Sequence, residues 1–304
     1  MLRNIFTLVL LSISFCGYTQ NNVAYLGAAE LSTLSETASK AASNTTSFEL
    51  TNGLILVKAK VNGTFGQFVL DTGAPGLILN SNEKNGNVVK ASSVSSAIDI
   101  REVQVEDFQW GSFKQKNVSG YALDISHMQR GNHSPDGLIG YQILKNNAVL
   151  VDYQNSEIAI LSKKDLKNKI KSSDNVLTIP FTTEGHLLIL KLKIEDEIYR
   201  FALDTGAEQN LMDQKFFEKF NPKNVEYELM QGLDGGIRRV ATGELSNLKS
   251  KKYQIEKMKF LFGDLSGVTA GEFSYQIDGL LGLPFFQNKN FAIDYRKGRI
   301  YIWE

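Results

Sequence analysis

Phe68-Val69-Leu70-Asp71-Thr72-Gly73-Ala74 returns with a single change as Phe201-Ala202-Leu203-Asp204-Thr205-Gly206-Ala207. Each copy is an apolar run that ends in Asp-Thr-Gly-Ala. A short apolar run closed by Gly reads as a buried strand that stops at a tight turn. Each Asp then sits at a strand end held by the core. One such carboxylate is an ordinary turn residue. Two in matched settings can face each other and share a proton, an arrangement that activates water.

The surroundings of the two copies also repeat. Leu54–Val61 and residues 65–70 flank Asn62-Gly63, a dipeptide suited to a tight hairpin turn. Leu187–Ile194 and residues 198–203 flank Glu195-Asp196 in the same way, so a β-hairpin leads into each Asp-Thr-Gly. Further on, Asp136-Gly137-Leu138-Ile139-Gly140 matches Asp278-Gly279-Leu280-Leu281-Gly282. Val149-Leu150-Val151-Asp152-Tyr153 matches Phe291-Ala292-Ile293-Asp294-Tyr295, and the interval from Asp136 to Asp152 equals that from Asp278 to Asp294. These repeated aspartates read as turn residues ahead of the last strands, Glu157–Leu161 and Arg299–Trp303. Helix is expected only in short pieces, at 141–146, 285–288 and 214–220. The fold class expected is all-β, with one lobe present twice.

The organisation expected is a leader at 1–20, a flexible segment at 21–47, lobes at 48–162 and 176–304, and a linker at 163–175. Arg3 followed by the apolar stretch 5–15 has the form of a secretory signal peptide. That stretch is too short to span a bilayer. The protein is therefore expected to be exported, periplasmic or secreted, with no stable membrane span. Lipid anchoring at Cys16 is the less favoured course, because bulky Phe15 precedes it. Residues 21–47 are rich in Ser, Thr, Ala and Asn, which suits a flexible tail or a frayed helix at 28–42. The linker carries Lys163, Lys164, Lys167, Lys169 and Lys171 and reads as a solvated helix rather than a basic contact patch.

Composition removes several functions. Lys and Arg total 33 and Asp and Glu total 33, so no basic field exists to hold nucleic acid. Cys16 is the only cysteine and lies in the leader, which excludes disulfides, thiol nucleophiles and Cys-ligated zinc from the mature chain. His127, His133 and His186 lack any metal-binding spacing and read as exposed loop residues, so no metal and no cofactor are expected. Neither a G-x-S-x-G elbow nor a phosphate-binding glycine loop is present.

On Asp71-Thr72-Gly73-Ala74, Asp204-Thr205-Gly206-Ala207, Leu138-Ile139-Gly140 and Leu280-Leu281-Gly282, the chain resembles the aspartic proteases over residues 48–304. Each half is similar to a retropepsin-type β-barrel lobe, since Ala after Asp-Thr-Gly is the retroviral form. Two halves in one chain is the pepsin arrangement. The resemblance implies a pepsin-like pseudo-dimer, monomeric, with Asp71 and Asp204 as the catalytic pair and a peptide or protein as substrate. It implies that Thr72 and Thr205 lock the two loops together. Gly73 and Gly206 let backbone N–H groups reach the carboxylates, and Gly140 and Gly282 let their segments pass beneath the loops. It implies a flap over each lobe. Gly232, Gly235 and Gly236 are the candidates in the second half, and the glycine-free stretch 91–97 is the candidate in the first. Pro75 against Glu208 makes the two loops unequal, and Glu208 reads as a solvated loop carboxylate. The alternatives are an inert peptide-binding protein on the same fold, or an enzyme whose site a second chain completes.

Overall fold

The computed structural model describes residues 6–7, 13–15, 45–51, 53–92, 97–128, 134–233, 235–266, 277–286 and 289–303. The frayed-helix stretch 28–42 and the first flap tip, 93–96, lie outside them.

Two copies of one β-lobe face each other across a shared sheet. In the first, Leu54–Val61 pairs antiparallel with Thr64–Leu70. Asn62 and Gly63 both take positive φ, 49° and 81°, which is the turn that right-twisted strands require. Thr64–Leu70 then lies parallel to Gly137–Ile139, and Leu77–Asn80 runs antiparallel to that short strand on its other side. The second lobe repeats each step. Leu187–Ile194 pairs with Glu197–Leu203, which lies parallel to Gly279–Leu281, with Leu211–Asp213 antiparallel on the far side. Asp136 and Asp278 brace these layers in the same way. The Oδ2 of Asp136 accepts the Gln67 backbone N–H at 2.7 Å, and that of Asp278 accepts the Arg200 N–H at 2.8 Å.

The lobes are joined by a six-stranded sheet whose centre is the antiparallel pairing of Ala148–Asp152 with Asn290–Asp294. Glu157–Leu161 and Thr45–Thr51 extend it on one side, and Arg299–Trp303 and Leu177–Glu184 on the other. One face of this sheet, including Val149, Val151, Phe291 and Ile293, belongs to the main core with Leu70, Ile139, Leu203 and Leu281. Because side chains alternate along a strand, Ala148, Leu150 and Ala292 point to the opposite face. The core therefore runs without a break from the shared sheet to the strands that end in the two Asp residues.

One edge differs from the sequence reading, while the helical pieces fall at or beside the expected positions. The strand Thr45–Thr51 begins inside the segment read as flexible, because Thr45, Thr46 and Ser47 complete the edge of the shared sheet. The lysine-rich linker is the α-helix Lys163–Ser172, capped by Ser162 and tied down by buried Leu166 and by Lys169 on Asp152. Of the short helices, Tyr141–Leu144 is α-helical, Leu283–Phe286 is 3-10, and 214–220 is a 3-10 turn running into an α-turn. Two short N-terminal strands, Phe6–Thr7 and Ile13–Phe15, pair with Ala91–Ser92 and Leu229–Gln231. No helix among the described residues is long and apolar enough to cross a membrane.

Candidate active site

Asp71 and Asp204 each follow the last residue of an inner strand, and the core on which those strands rest fixes both. The loops that carry them cross-link. The Thr72 N–H donates to the Thr205 Oγ1 at 3.1 Å, and the Thr205 N–H donates to the Thr72 Oγ1 at 3.0 Å. Each hydroxyl then donates onward to the opposite strand, Thr72 to the Leu203 carbonyl at 2.9 Å and Thr205 to the Leu70 carbonyl at 2.8 Å. Those carbonyls belong to the residues just before the two aspartates. Both threonines are buried, so these four bonds operate away from water, where leaving them unmade would be costly.

Gly140 and Gly282 sit directly beneath the loops. A Cβ on Gly140 would come within 2.4 Å of the Ala74 carbonyl oxygen, and one on Gly282 within 2.5 Å of the Ala207 oxygen. Only glycine fits at these two positions.

The two carboxyl groups lie within hydrogen-bonding reach of each other, and both aspartates are 0% exposed. Burial pushes both well above the ordinary carboxylate range. The pair is not symmetric. The Asp71 Oδ1 accepts two backbone N–H groups, from Gly73 at 2.8 Å and Ala74 at 2.9 Å. The Asp204 Oδ1 accepts one, from Gly206 at 3.0 Å, while the Ala207 N–H turns to the Asp204 backbone carbonyl. Asp71 is thus the better place for negative charge. After burial, that charge is the next cause that raises Asp204. The Tyr295 hydroxyl is also pushed up, by burial and then by the Asp71 charge.

The second-lobe flap candidate is a hairpin of Lys223–Gln231 and Ile237–Ser250. Gly235 takes φ +74° at its tip, and the Gly232 N–H donates to the Gly236 carbonyl. The tip reaches the other lobe. Leu233 is 2% exposed and packs in one cluster with Ile125, Met128, Ala74 and Ala207. Gly235 rests against the ring of His127. The hairpin tip thus shares a cluster with Ala74 and Ala207, the residues that close the two Asp-Thr-Gly-Ala motifs. In the first lobe, Val88–Ser92 and Ala97–Trp110 form the matching hairpin.

All eight residues expected around the pair, Asp71, Thr72, Gly73, Gly140, Asp204, Thr205, Gly206 and Gly282, come together at one place. Glu208 is half-buried and is not among the groups that shift either carboxyl. The histidine reading needs correction. His127 is half-buried under the flap tip, and His186 is buried, with its imidazole hydrogen-bonded to the Gly73 backbone. Burial holds His186 down at about 4, so it is neutral across most of the pH range. His133 lies outside the described residues. Asn210 was also missed: its Oδ1 accepts the Gly282 N–H at 3.0 Å and its amide donates to the Lys259 carbonyl at 3.1 Å. Its sequence signal is a polar residue six positions beyond Asp204, where the first copy has Leu77.

A family model described as aspartyl protease matches residues 57–143 and 190–285, so each matched segment holds one Asp-Thr-Gly. Among solved structures, the aspartic proteinase from Irpex lacteus aligns with a TM-score of 0.48 at 12% identity, over 85% of this chain and 96% of that chain. No curated protein sequence matches the chain.

The raised Asp204 has a consequence for stability. A carboxyl whose folded-state value lies above its ordinary 3.8 gives stability that is intact below that value and is lost as pH rises through the folded value. Asn at this position has no proton to lose. Thermal melts of Asp204→Asn and wild type should therefore diverge as pH rises from 3 to 7, with the variant gaining. A Tm difference that does not change with pH would contradict the burial of this proton.

Proposed function

The chain belongs to the aspartyl protease family, and from that premise we propose that it is an exported aspartic endopeptidase in which Asp71 and Asp204 activate the water that cuts a peptide bond. The observation that carries the reading is the pair of fully buried carboxyl groups within reach of each other, both raised by burial and held by crossed threonine bonds. An inert peptide-binding protein would have no need of a costly buried proton. Both carboxyl groups come from one chain, which favours a monomeric enzyme over a site completed by a second copy.

In this reading Asp71 is the base and Asp204 holds the shared proton. Asp71 takes a proton from water as the water oxygen bonds to the peptide carbonyl carbon, and Asp204 gives its proton to the carbonyl oxygen. The neutral diol then collapses. The C–N bond breaks, the proton on Asp71 passes to the amine, and a hydroxyl proton returns to Asp204. The two backbone N–H groups at Asp71 hold its charge before the first step and after the last. The peptide lies in the cleft between the lobes, so the Leu233 hairpin must lift to admit it. Export follows from the leader. Its removal near residues 17–20 takes the strands Phe6–Thr7 and Ile13–Phe15 away from the two hairpins that they pair with.

Asp71→Asn and Asp204→Asn should each lower kcat on a peptide library by at least about 10²-fold, the low end of what acid–base help contributes. Far-UV circular dichroism should show the fold intact. Near-wild-type turnover in either variant would exclude a shared pair.

The pH profile follows from the alanines. Ala74 and Ala207 are buried beside the carboxyl groups and offer no hydroxyl to favour the charged form. Asp71, the base, is pushed up to about 7, so the profile of kcat/KM should be a bell with its optimum near neutral pH, both limbs belonging to the pair. Ala74→Ser should shift the bell towards acid. A wild-type optimum near pH 2 or above pH 8 would contradict the role given to the alanines.

A further inference from the structure

We propose that the groove between the helix Lys163–Ser172 and the hairpin 294–301 is a docking site for an extended acidic segment of a partner protein. It lies across the shared sheet from the carboxyl pair. Leu166 packs with Ala148, Leu150 and Ala292 on the outer face of that sheet, opposite the face that joins the core beneath the Asp loops.

The groove has a volume of about 240 Å³. Lys163, Lys167 and Lys171 line one wall, Arg296 and Lys297 the other, and Leu166 and Ile170 the floor. Asp294 is the one carboxylate among the lining residues, and it is already engaged by the Arg296 Nε at 3.0 Å. Among the described residues, no acidic side chain pairs with Lys163, Lys167, Lys171 or Lys297. The chain as a whole is neutral, so this local excess of cations is segregated rather than general. The Arg296 Nη2 and the Asp294 Oδ2 are both buried beneath the groove, so the cations open to an occupant are the lysines.

Spacing selects the form of the occupant. Lysines at every fourth helical position rise about 6 Å apart. Alternate residues of an extended strand are about 6.6 Å apart on one side. A strand with Asp or Glu at alternate positions therefore brings one carboxylate to each lysine, while its other side chains reach the apolar floor or the solvent. The groove is concave, which suits a chain segment rather than a flat lipid surface.

The test uses the full chain carrying Asp204→Asn, so that bound peptide is not cut and binding is read independently of the proposed catalysis. Anisotropy of a labelled alternating Glu-Leu decapeptide should show saturable binding at low salt that weakens as salt is raised. The Lys167→Glu, Lys171→Glu double variant should bind at least tenfold more weakly, with an unchanged melt. If that variant melts differently, Lys297→Glu replaces it and should weaken binding in the same direction. The matching Gln-Leu peptide and phosphatidylglycerol vesicles are the comparators. No binding of the acidic peptide, equal binding of the Gln-Leu peptide, or affinity unmoved by charge reversal would overturn the proposal. Tighter binding to the vesicles, lost in the same variants, would also overturn it in favour of a lipid surface.

Discussion

The crossed bonds between Thr72 and Thr205 are the constraint on which the site depends. Each hydroxyl accepts from one loop and donates to the strand that carries the other aspartate. Moving either loop breaks bonds on both sides, so the carboxyl groups are placed as one unit rather than as two. The rest of the architecture supplies what that unit needs. The shared sheet, paired through Ala148–Asp152 and Asn290–Asp294, prevents the lobes from sliding. Gly140 and Gly282 remove the side chains that would push the loops apart.

Near-symmetry brings the carboxyl groups together, and small departures from it give them different roles. The second backbone donor at Asp71 is the main one, since burial falls on both groups alike. Two more lie close by. His186 braces the Gly73 loop where the first lobe has Gly53, and Asn210 holds Gly282 where the first lobe has Leu77. The second-lobe flap tip also crosses the lobe boundary, since Leu233 sinks into a cluster made mostly of first-lobe residues.

Local chemistry was legible in the sequence. Apolar runs closed by Asp-Thr-Gly, the Asn62-Gly63 turn and the repeated Asp-Gly steps each fix their own strand or turn, and repetition placed them in two lobes. Contacts made across the lobe boundary were not legible. His186 sits at a polar turn, Gly185-His186, that reads as solvated, and only the facing loop buries it. Thr45 to Ser47 looks like part of a polar tail until the edge of the shared sheet claims its backbone. The lysine-rich helix looks like a solvated face, and the hairpin that turns it into a groove lies more than a hundred residues further on. In each case the deciding partner is distant in the chain and has no periodicity to announce it.

The central claim is that two carboxyl groups from one chain hold a single proton between them. Carbon-13 NMR titration of the Asp71 and Asp204 side chains, assigned with the two Asn variants, measures this directly. The account predicts coupled transitions, with Asp71 losing its proton first and Asp204 remaining protonated well above 3.8. Replacing either residue should shift the titration of the other. Two independent transitions near about 3.9, the ordinary value for Asp, would contradict it.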